Sequence, residues 1–212
     1  MIRQTLATGL LAGLIGLSGC TLLPESEALV VYQFPQPAPT AASHAGQPLS
    51  LSLRVDTPQA GYAYGGPRLM VQTADNQLMS YKGVRWSDPT PTLLREYLAQ
   101  AFQRQSSLGS VTTDENSLHA DVYLGSELRR FQVVDANPPH ILVDLHARLV
   151  SPDSRRVYVS NGFNIIQPID STRIQDVVEG YNQAVQQLAG QLIDWATPQL
   201  EAVAGSSSTQ QP

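Results

Sequence analysis

The stretch that decides the fold is VYLGSELRRFQVVDANPPHILVDLHARLVSPDSRRVYVSNGFNII, residues 122–166. In its middle part an apolar series alternates with a mostly polar one. The apolar residues are Ile141, Val143, Leu145, Ala147 and Leu149. Alternation with a period of two is typical of a strand that has one buried face. Pro138-Pro139 and the turn at residues 151–154 divide the stretch into three strands. The segment therefore predicts an antiparallel meander with one face in water.

Four more strands are expected upstream of this meander. They are residues 29–34, 49–55, 68–73 and 77–82. The second of them repeats the alternation of apolar and polar side chains. The last two flank Asp75-Asn76, and both residues tolerate the positive φ of a tight hairpin turn.

Two amphipathic helices complete the predicted layout. Thr90-Pro91 indicates the start of the first helix, with Thr90 as the cap and Pro91 at the first helical position. The second helix is expected to begin near Thr172 and to end at Pro198. The order is then ββββαβββα. Because one-sided strands need a cover for their apolar face, the sequence predicts an α+β two-layer sandwich, a mainly antiparallel sheet covered on one face by both helices.

The amino-terminal end has the pattern of a secretory signal. A short segment with Arg3 precedes the uncharged run at residues 6–17, and small residues lead to Cys20, the only cysteine. The junction Leu17-Ser18-Gly19-Cys20 resembles the lipobox of bacterial lipoproteins. Residues 1–19 are therefore expected to be removed, and Cys20 to carry covalent lipid, the only attached group that we expect. The alternative is a cysteine that ends an apolar segment by chance.

Composition narrows the possible functions of the remaining chain. Removing residues 1–19 removes Arg3 and no acidic residue, so the net charge changes from −5 to −6. A nucleic-acid partner is not expected, since no basic stripe is present to neutralise phosphates. Residues 20–28 are predicted to be the lipidated cysteine and its tether, residues 29–204 one domain, and residues 205–212 a disordered tail.

No pattern in the sequence predicts catalysis or a metal site. The common nucleophile, zinc and phosphate-loop motifs are absent. The histidines are scattered as His44, His119, His140 and His146. Surface positions explain them better than a shared ligand set does, and the carboxylates show no selective spacing. Arg129-Arg130 and Arg155-Arg156 could contact a lipid head group or an acidic partner, but ordinary solvated or rim arginines explain both pairs better.

Four aromatic residues are candidates for contact with a partner protein. Tyr62 and Tyr64 lie in a Gly-rich loop, and Tyr81 and Trp86 lie on or just beyond the predicted hairpin. Tyrosine and tryptophan are enriched in protein interfaces. The alternative for Trp86 is that it closes the edge of the core where the first helix begins.

The same region carries a resemblance to a known family. Arg68-Leu69-Met70-Val71, the hairpin to Tyr81, and Arg85-Trp86-Ser87-Asp88-Pro89 before a helix resemble the ABC-type transport auxiliary lipoproteins, which include the paraquat-inducible C type. Tyr32 in the first strand and the order of elements from Cys20 to about Leu200 also fit. The sequence departs from the pattern at Val71-Gln72 and in the Pro/Ala-rich insertion at residues 35–47.

The resemblance implies a non-catalytic component of an envelope transporter. An ABC permease and ATPase with an MCE-domain protein would be its partners, and the transported molecule would be a lipid or hydrophobic solute. By the same resemblance, Thr21 in place of an Asp after Cys20 favours anchoring at the periplasmic face of the outer membrane. Homo-oligomerisation stays open. The alternatives are a periplasmic carrier with a lipid in its own cavity and an enzyme acting on cell wall or glycan.

Overall fold

The computed structural model describes residues 29–37, 49–116 and 118–208, with side chains described as far as Gly205. The predicted signal peptide, Cys20 with its tether, His44 and residues 209–212 lie outside the described residues. In chain order the elements are β1 (Val30–Tyr32), β2 (Leu49–Val55), β3 (Gln59–Ala60), β4 (Met70–Gln72), β5 (Leu78–Ser80), β6 (Val84–Trp86), α1 (Thr90–Gln105), β7 (Leu108–Thr113), β8 (Val122–Val134), β9 (His140–Val150), β10 (Val157–Pro168) and α2 (Ile174–Ser208).

The predicted meander is confirmed. β8, β9 and β10 pair antiparallel, and Phe163↔Leu145 and Leu128↔Leu145 show that the three strands are in register across the middle. The β4–β5 hairpin is also confirmed, and Asn76 adopts a φ of 63° in its turn. Both features come from local alternation and turn chemistry, which the sequence displays directly.

The sheet is mixed, so the expectation of a mainly antiparallel sheet is wrong. One edge of β8 pairs antiparallel with β9, and its other edge pairs in parallel with β2, β3 and β4 in turn. β2 also pairs in parallel with β7. A separate parallel pair joins β1 to β6. Side-chain alternation reports which face of a strand is buried and carries no information on the direction of the neighbouring strand. The strands β3, β6 and β7 were not predicted, because they are short or polar.

The helix boundaries differ from the prediction at two points. Thr90 is the first residue of α1 rather than its cap, and its hydroxyl donates a hydrogen bond to the Gly66 carbonyl at 3.1 Å. Pro198 does not end α2, which continues to Ser208 and so includes the first half of the segment expected to be a tail. Tertiary packing of an amphipathic helix can outweigh the hydrogen bond that an internal proline removes.

Both helices pack on the same side of the sheet. α1 contacts β2 and β7, and α2 contacts β9 and β10. The buried alternate residues of the strands face these helices, while Asp144, His146 and Arg148 of β9 are only half-buried. The two-layer α+β arrangement is therefore present. Within the described residues, no helix has both the length and the apolar character needed to cross a membrane.

Candidate functional site

Trp86 lies in the core, which corrects the expectation that it contacts a partner. Its side chain is 0% exposed. Its ring meets Phe34 edge-on at 5.0 Å and Tyr181 at 5.3 Å between centroids, and Phe131 stacks on Tyr181 at 4.6 Å. Aromatic pairs favour these edge-on and offset geometries. Trp86 therefore closes the interior where β6 leads into α1, which was the alternative interpretation of this residue.

Tyr81 joins the hairpin to the start of α2. It is half-buried, and its hydroxyl donates a hydrogen bond to the carbonyl of Thr172 at 3.1 Å. Burial, and secondarily the charge of Asp135, raise the pKa of Tyr81 to about 12. The hydroxyl consequently stays protonated and keeps donating throughout the physiological range. Its role in this structure is to hold two elements together.

Tyr64 begins a chain of hydrogen bonds along the sheet face that the helices leave uncovered. Its hydroxyl donates to the side-chain oxygen of Gln132, which is itself buried. The Gln132 amide donates to Gln72, and the Gln72 amide donates to Asn76 at 2.9 Å. Burial raises the pKa of Tyr64, although the charge of Arg130 opposes the change. This series of hydrogen bonds connects the Gly-rich loop to the tip of the β4–β5 hairpin.

Tyr62 is the one of the four candidates that the structure leaves fully accessible. It is 91% exposed, and the Arg68 guanidinium lies 5.5 Å from its ring centroid, within the range of a cation–π contact. A groove of about 430 Å³ runs beside it, lined by residues 59–64 and 127–129. Glu127 and Arg129 form an ion pair of 3.1 Å there. We call Tyr62, Arg68, Glu127 and Arg129 the Tyr62 surface.

The four candidates thus divide into an inner and an outer group. The ring of Trp86 contacts the ring of the buried Tyr181, and the hydroxyls of Tyr81 and Tyr64 act electrostatically on the Tyr181 hydroxyl. Burial and these two hydroxyls raise the pKa of Tyr181 well above its ordinary value. Of the four candidates, Trp86 alone is fully buried against Tyr181, Tyr64 and Tyr81 are half-buried, and Tyr62 alone presents its whole ring to solvent.

A buried arginine was missed by the sequence analysis. Arg95 of α1 is 4% exposed and donates to Thr57 and Asp114 at 3.0 Å each and to Glu96 at 2.7 Å, and it also pairs with Glu115. Burial disfavours its charge, but these hydrogen bonds raise the pKa of Arg95 overall. The only signal in the sequence is its position beside Leu94 in the apolar stripe. Apart from the adjacent Glu96, its partners come from distant segments, which a pattern cannot bring together.

The remaining polar candidates do not converge. His119 is exposed, and His140 and His146 are half-buried on β9. Among the described residues no group of three His, Cys, Asp or Glu side chains is placed to hold a metal ion. Arg130 pairs with Asp144 at 3.4 Å, and Arg155 and Arg156 lie exposed after a turn.

Comparisons with known proteins identify the fold and the family. The model of the ABC-type transport auxiliary lipoprotein component matches residues 32–193. No match was found among curated proteins. A crystal structure of a Xanthomonas campestris protein, whose family is designated DUF330, is 24% identical with a TM-score of 0.72 and covers 86% of this chain and 100% of its own. A second crystal structure, of an uncharacterized protein, is 16% identical with a TM-score of 0.64. It covers 80% of this chain and 99% of its own.

The matched region begins at Tyr32 in β1 and ends at Ile193 within α2. It contains the hairpin, the Arg85-Trp86-Ser87-Asp88-Pro89 segment, both helix starts and the whole meander. The two solved structures share this fold over nearly all of their own length. The chain belongs to the ABC-type transport auxiliary lipoprotein family.

Proposed function

We propose that this protein is a non-catalytic lipoprotein, anchored through Cys20 to the periplasmic face of the outer membrane, that docks an MCE-type ABC transport system. The system would move lipids or other hydrophobic solutes across the envelope. The observation that carries the proposal is the match of the family model to residues 32–193. Membership in this family associates the chain with ABC-type transport, and the particular membrane, partner and cargo are our inference.

The Tyr62 surface is the place where we expect the partner to dock. Tyrosine and arginine are over-represented among residues that dominate binding energy, and an accessible ring beside a cation offers both. The surface is also pre-organised, because the hydrogen bond from Tyr64 to Gln132 holds the loop against the sheet. A loop that is already ordered loses less conformational entropy when a partner binds.

The packing between the sheet and the helices favours docking over the carriage of lipid in the protein's own cavity. The space between the layers is filled by large side chains, among them Trp86, Tyr181 and Phe131, each at most 2% exposed. A bound acyl chain would have to displace this aromatic cluster. Within the described residues, the carboxylates that converge are Glu96, Asp114 and Glu115, and because Arg95 engages all three they give no support to an enzymatic role.

Cell fractionation of a Cys20→Ser variant tests the anchor. We expect the wild-type protein in the outer-membrane fraction and the variant in the soluble periplasmic fraction, since the proposed attachment depends on the lipid that Cys20 carries. A variant that stays in the outer membrane would refute anchoring through Cys20. Wild-type protein in the inner membrane would refute the choice of membrane.

Crosslinking in intact envelopes tests the partner and the surface together. We expect wild-type protein to capture an MCE-domain protein and Tyr62→Ala to capture at least about tenfold less, the loss typical of removing a hot-spot aromatic. Tyr158→Ala is the matched control, because Tyr158 is an exposed tyrosine on β10, away from the Tyr62 surface. Equal capture by both variants would refute the Tyr62 surface as the docking site. Failure of the wild-type protein to capture an MCE-domain protein would refute the partner.

A further inference from the structure

The first described strand and the residue before it carry exposed apolar side chains. Leu29, Val30 and Val31 are between 46% and 52% exposed, although they are consecutive and all apolar. Three residues later, Phe34 reaches the aromatic core and lies 5.0 Å from Trp86. The chain therefore passes from an exposed apolar run into the interior within one short segment.

This run is held in place by the body of the domain. Val30 donates a backbone hydrogen bond to the Gly83 carbonyl at 2.9 Å, and Ser87 donates one to the Tyr32 carbonyl at 2.8 Å. β1 pairs with β6 in register, from Val30↔Val84 to Tyr32↔Trp86. A continuous run of exposed apolar side chains at a fixed position is a candidate for contact with another apolar phase.

Lys82 lies beside the start of this strand. It is exposed, it immediately precedes Gly83, which accepts the bond from Val30, and it is the only lysine of the sequence. Met79 is also half exposed and lies three residues earlier, so its Cα is within about 11 Å of that of Lys82. Apolar side chains next to a cation match the boundary of a phospholipid layer, where acyl chains meet phosphate groups.

The length of the preceding chain limits where this surface can be. Residues 20–28 separate the strand from Cys20, and a fully extended segment of that size spans at most about 30 Å. If lipid on Cys20 holds the chain to a membrane, Leu29 cannot be farther than this from the head groups. The exposed apolar run is thus the described part of the protein nearest to the bilayer along the chain.

We infer that Leu29, Val30, Val31 and Lys82, here named the β1 strip, rest on the phospholipid surface to which Cys20 is anchored. This contact rests on the proposed anchor and adds an orientation to it. The lipidated cysteine then fixes not only the location of the domain but also which face is turned to the membrane. A defined orientation would keep the opposite parts of the domain directed toward the periplasm.

Fluorescence quenching in vesicles tests the orientation. The lipidated mature chain with Val30→Cys carries a single free thiol, since the Cys20 sulfur bears the lipid. It is labelled with bimane and reconstituted into phosphatidylethanolamine–phosphatidylglycerol vesicles. Nitroxide groups on the acyl chains serve as quenchers. The matched control is Tyr158→Cys, at a position with a similar exposed fraction of 48%. We expect loss of fluorescence from the label at 30 and unchanged fluorescence from the label at 158.

Flotation of the same vesicles separates the two proposals. If both labelled proteins float and the label at 30 is not quenched, the β1 strip is refuted while the anchor stands. If neither floats, both proposals fail. Equal quenching at 30 and 158 would refute a defined orientation. A different outcome is a label at 30 that is shielded from solvent without vesicles, and more strongly at higher protein concentration. That result would assign the strip to a contact with a second copy of the chain and refute the membrane contact.

A charge reversal tests the cationic part of the strip. Lys82→Glu in the Val30→Cys background should reduce quenching at position 30 in vesicles that contain phosphatidylglycerol, because an anionic surface repels the new carboxylate. The position is exposed, so the fold should tolerate the change. Quenching equal to that of the parent would exclude Lys82 from the contact.

Discussion

The ring of Phe34 meets the ring of Trp86 edge-on, with centroids 5.0 Å apart and planes inclined at 86°. Phe34 follows β1, and Trp86 is the last residue of β6. Behind them Phe131 of β8 stacks on Tyr181 of α2. Four elements that are far apart in sequence therefore meet in one aromatic cluster. Because Phe34 directly follows β1 and belongs to this cluster, the cluster also fixes the position of β1 on the domain.

Replacing Trp86 should be among the most destabilising changes in the protein. Trp86→Ala removes a fully buried indole, and we expect a loss of about 3–5 kcal/mol in the free energy of unfolding, since the cavity cannot collapse completely. Trp195→Ala is the matched control, because Trp195 is only partly buried against Phe163 and should cost less. Urea unfolding followed by circular dichroism measures both. Equal losses would contradict a special role for the cluster.

Much of the fold could be predicted from local patterns in the sequence, and the rest depends on pairings that leave no pattern. The alternation in β9 and the Asp75-Asn76 turn identified the meander and the hairpin. β3 has two residues and β6 has three, which is too short for any periodicity to appear. Their positions follow from parallel pairing with β8 and β1, and such pairing is decided by tertiary packing.

In the candidate site, too, the sequence predicts some features and tertiary packing decides the others. Residue type and a Gly-rich loop were sufficient to select Tyr62 as an accessible aromatic. The identical residue type two positions later, Tyr64, turns inward to Gln132 because that buried amide needs a partner. Sequence shows which side chains could contact a partner, whereas their direction depends on the polar groups that the fold leaves to be satisfied.

Arg95 should contribute to stability through the ion pairs of its buried guanidinium. Arg95→Ala leaves Asp114 and Glu115 without their cation, and we expect a loss of about 1.5–3 kcal/mol, the range for hydrogen bonds to charged groups, because the carboxylates are partly exposed and stay hydrated. Arg173→Ala is the control, since Arg173 pairs with Asp176 at 3.1 Å at an exposed site and should cost at most about 1 kcal/mol. Chemical denaturation at pH 7 compares the two. A larger loss for Arg173→Ala would overturn this ranking.

Asp114 should make stability depend on pH in the acidic range. Burial alone would raise the pKa of its carboxyl, but hydrogen bonds from Thr57 and Arg95 hold the pKa below its ordinary value of 3.8. A group whose pKa is lower in the folded state stabilises the protein above its unfolded pKa, and that stability is lost as the pH falls through the folded pKa. Between pH 6 and pH 2 the urea midpoint of the wild type should therefore fall more than that of Asp114→Asn. Parallel curves would show that Asp114 is not the linked group.

Two glycines of α2 should respond in opposite ways to the same substitution. A Cβ at Gly180 would collide with Ile169 and lie 3.0 Å from Ile141, both of which are buried at the junction of sheet and helix. At Gly190 no atom lies within 4 Å of the added carbon. Alanine favours a helix over glycine by about 1 kcal/mol, so Gly190→Ala should raise the melting temperature. Gly180→Ala should lower it, because the overlap costs about 1–3 kcal/mol and outweighs the gain in helix propensity. If both variants were stabilised, β9 and the segment after β10 would have to lie farther from the first turns of α2 than the structure places them.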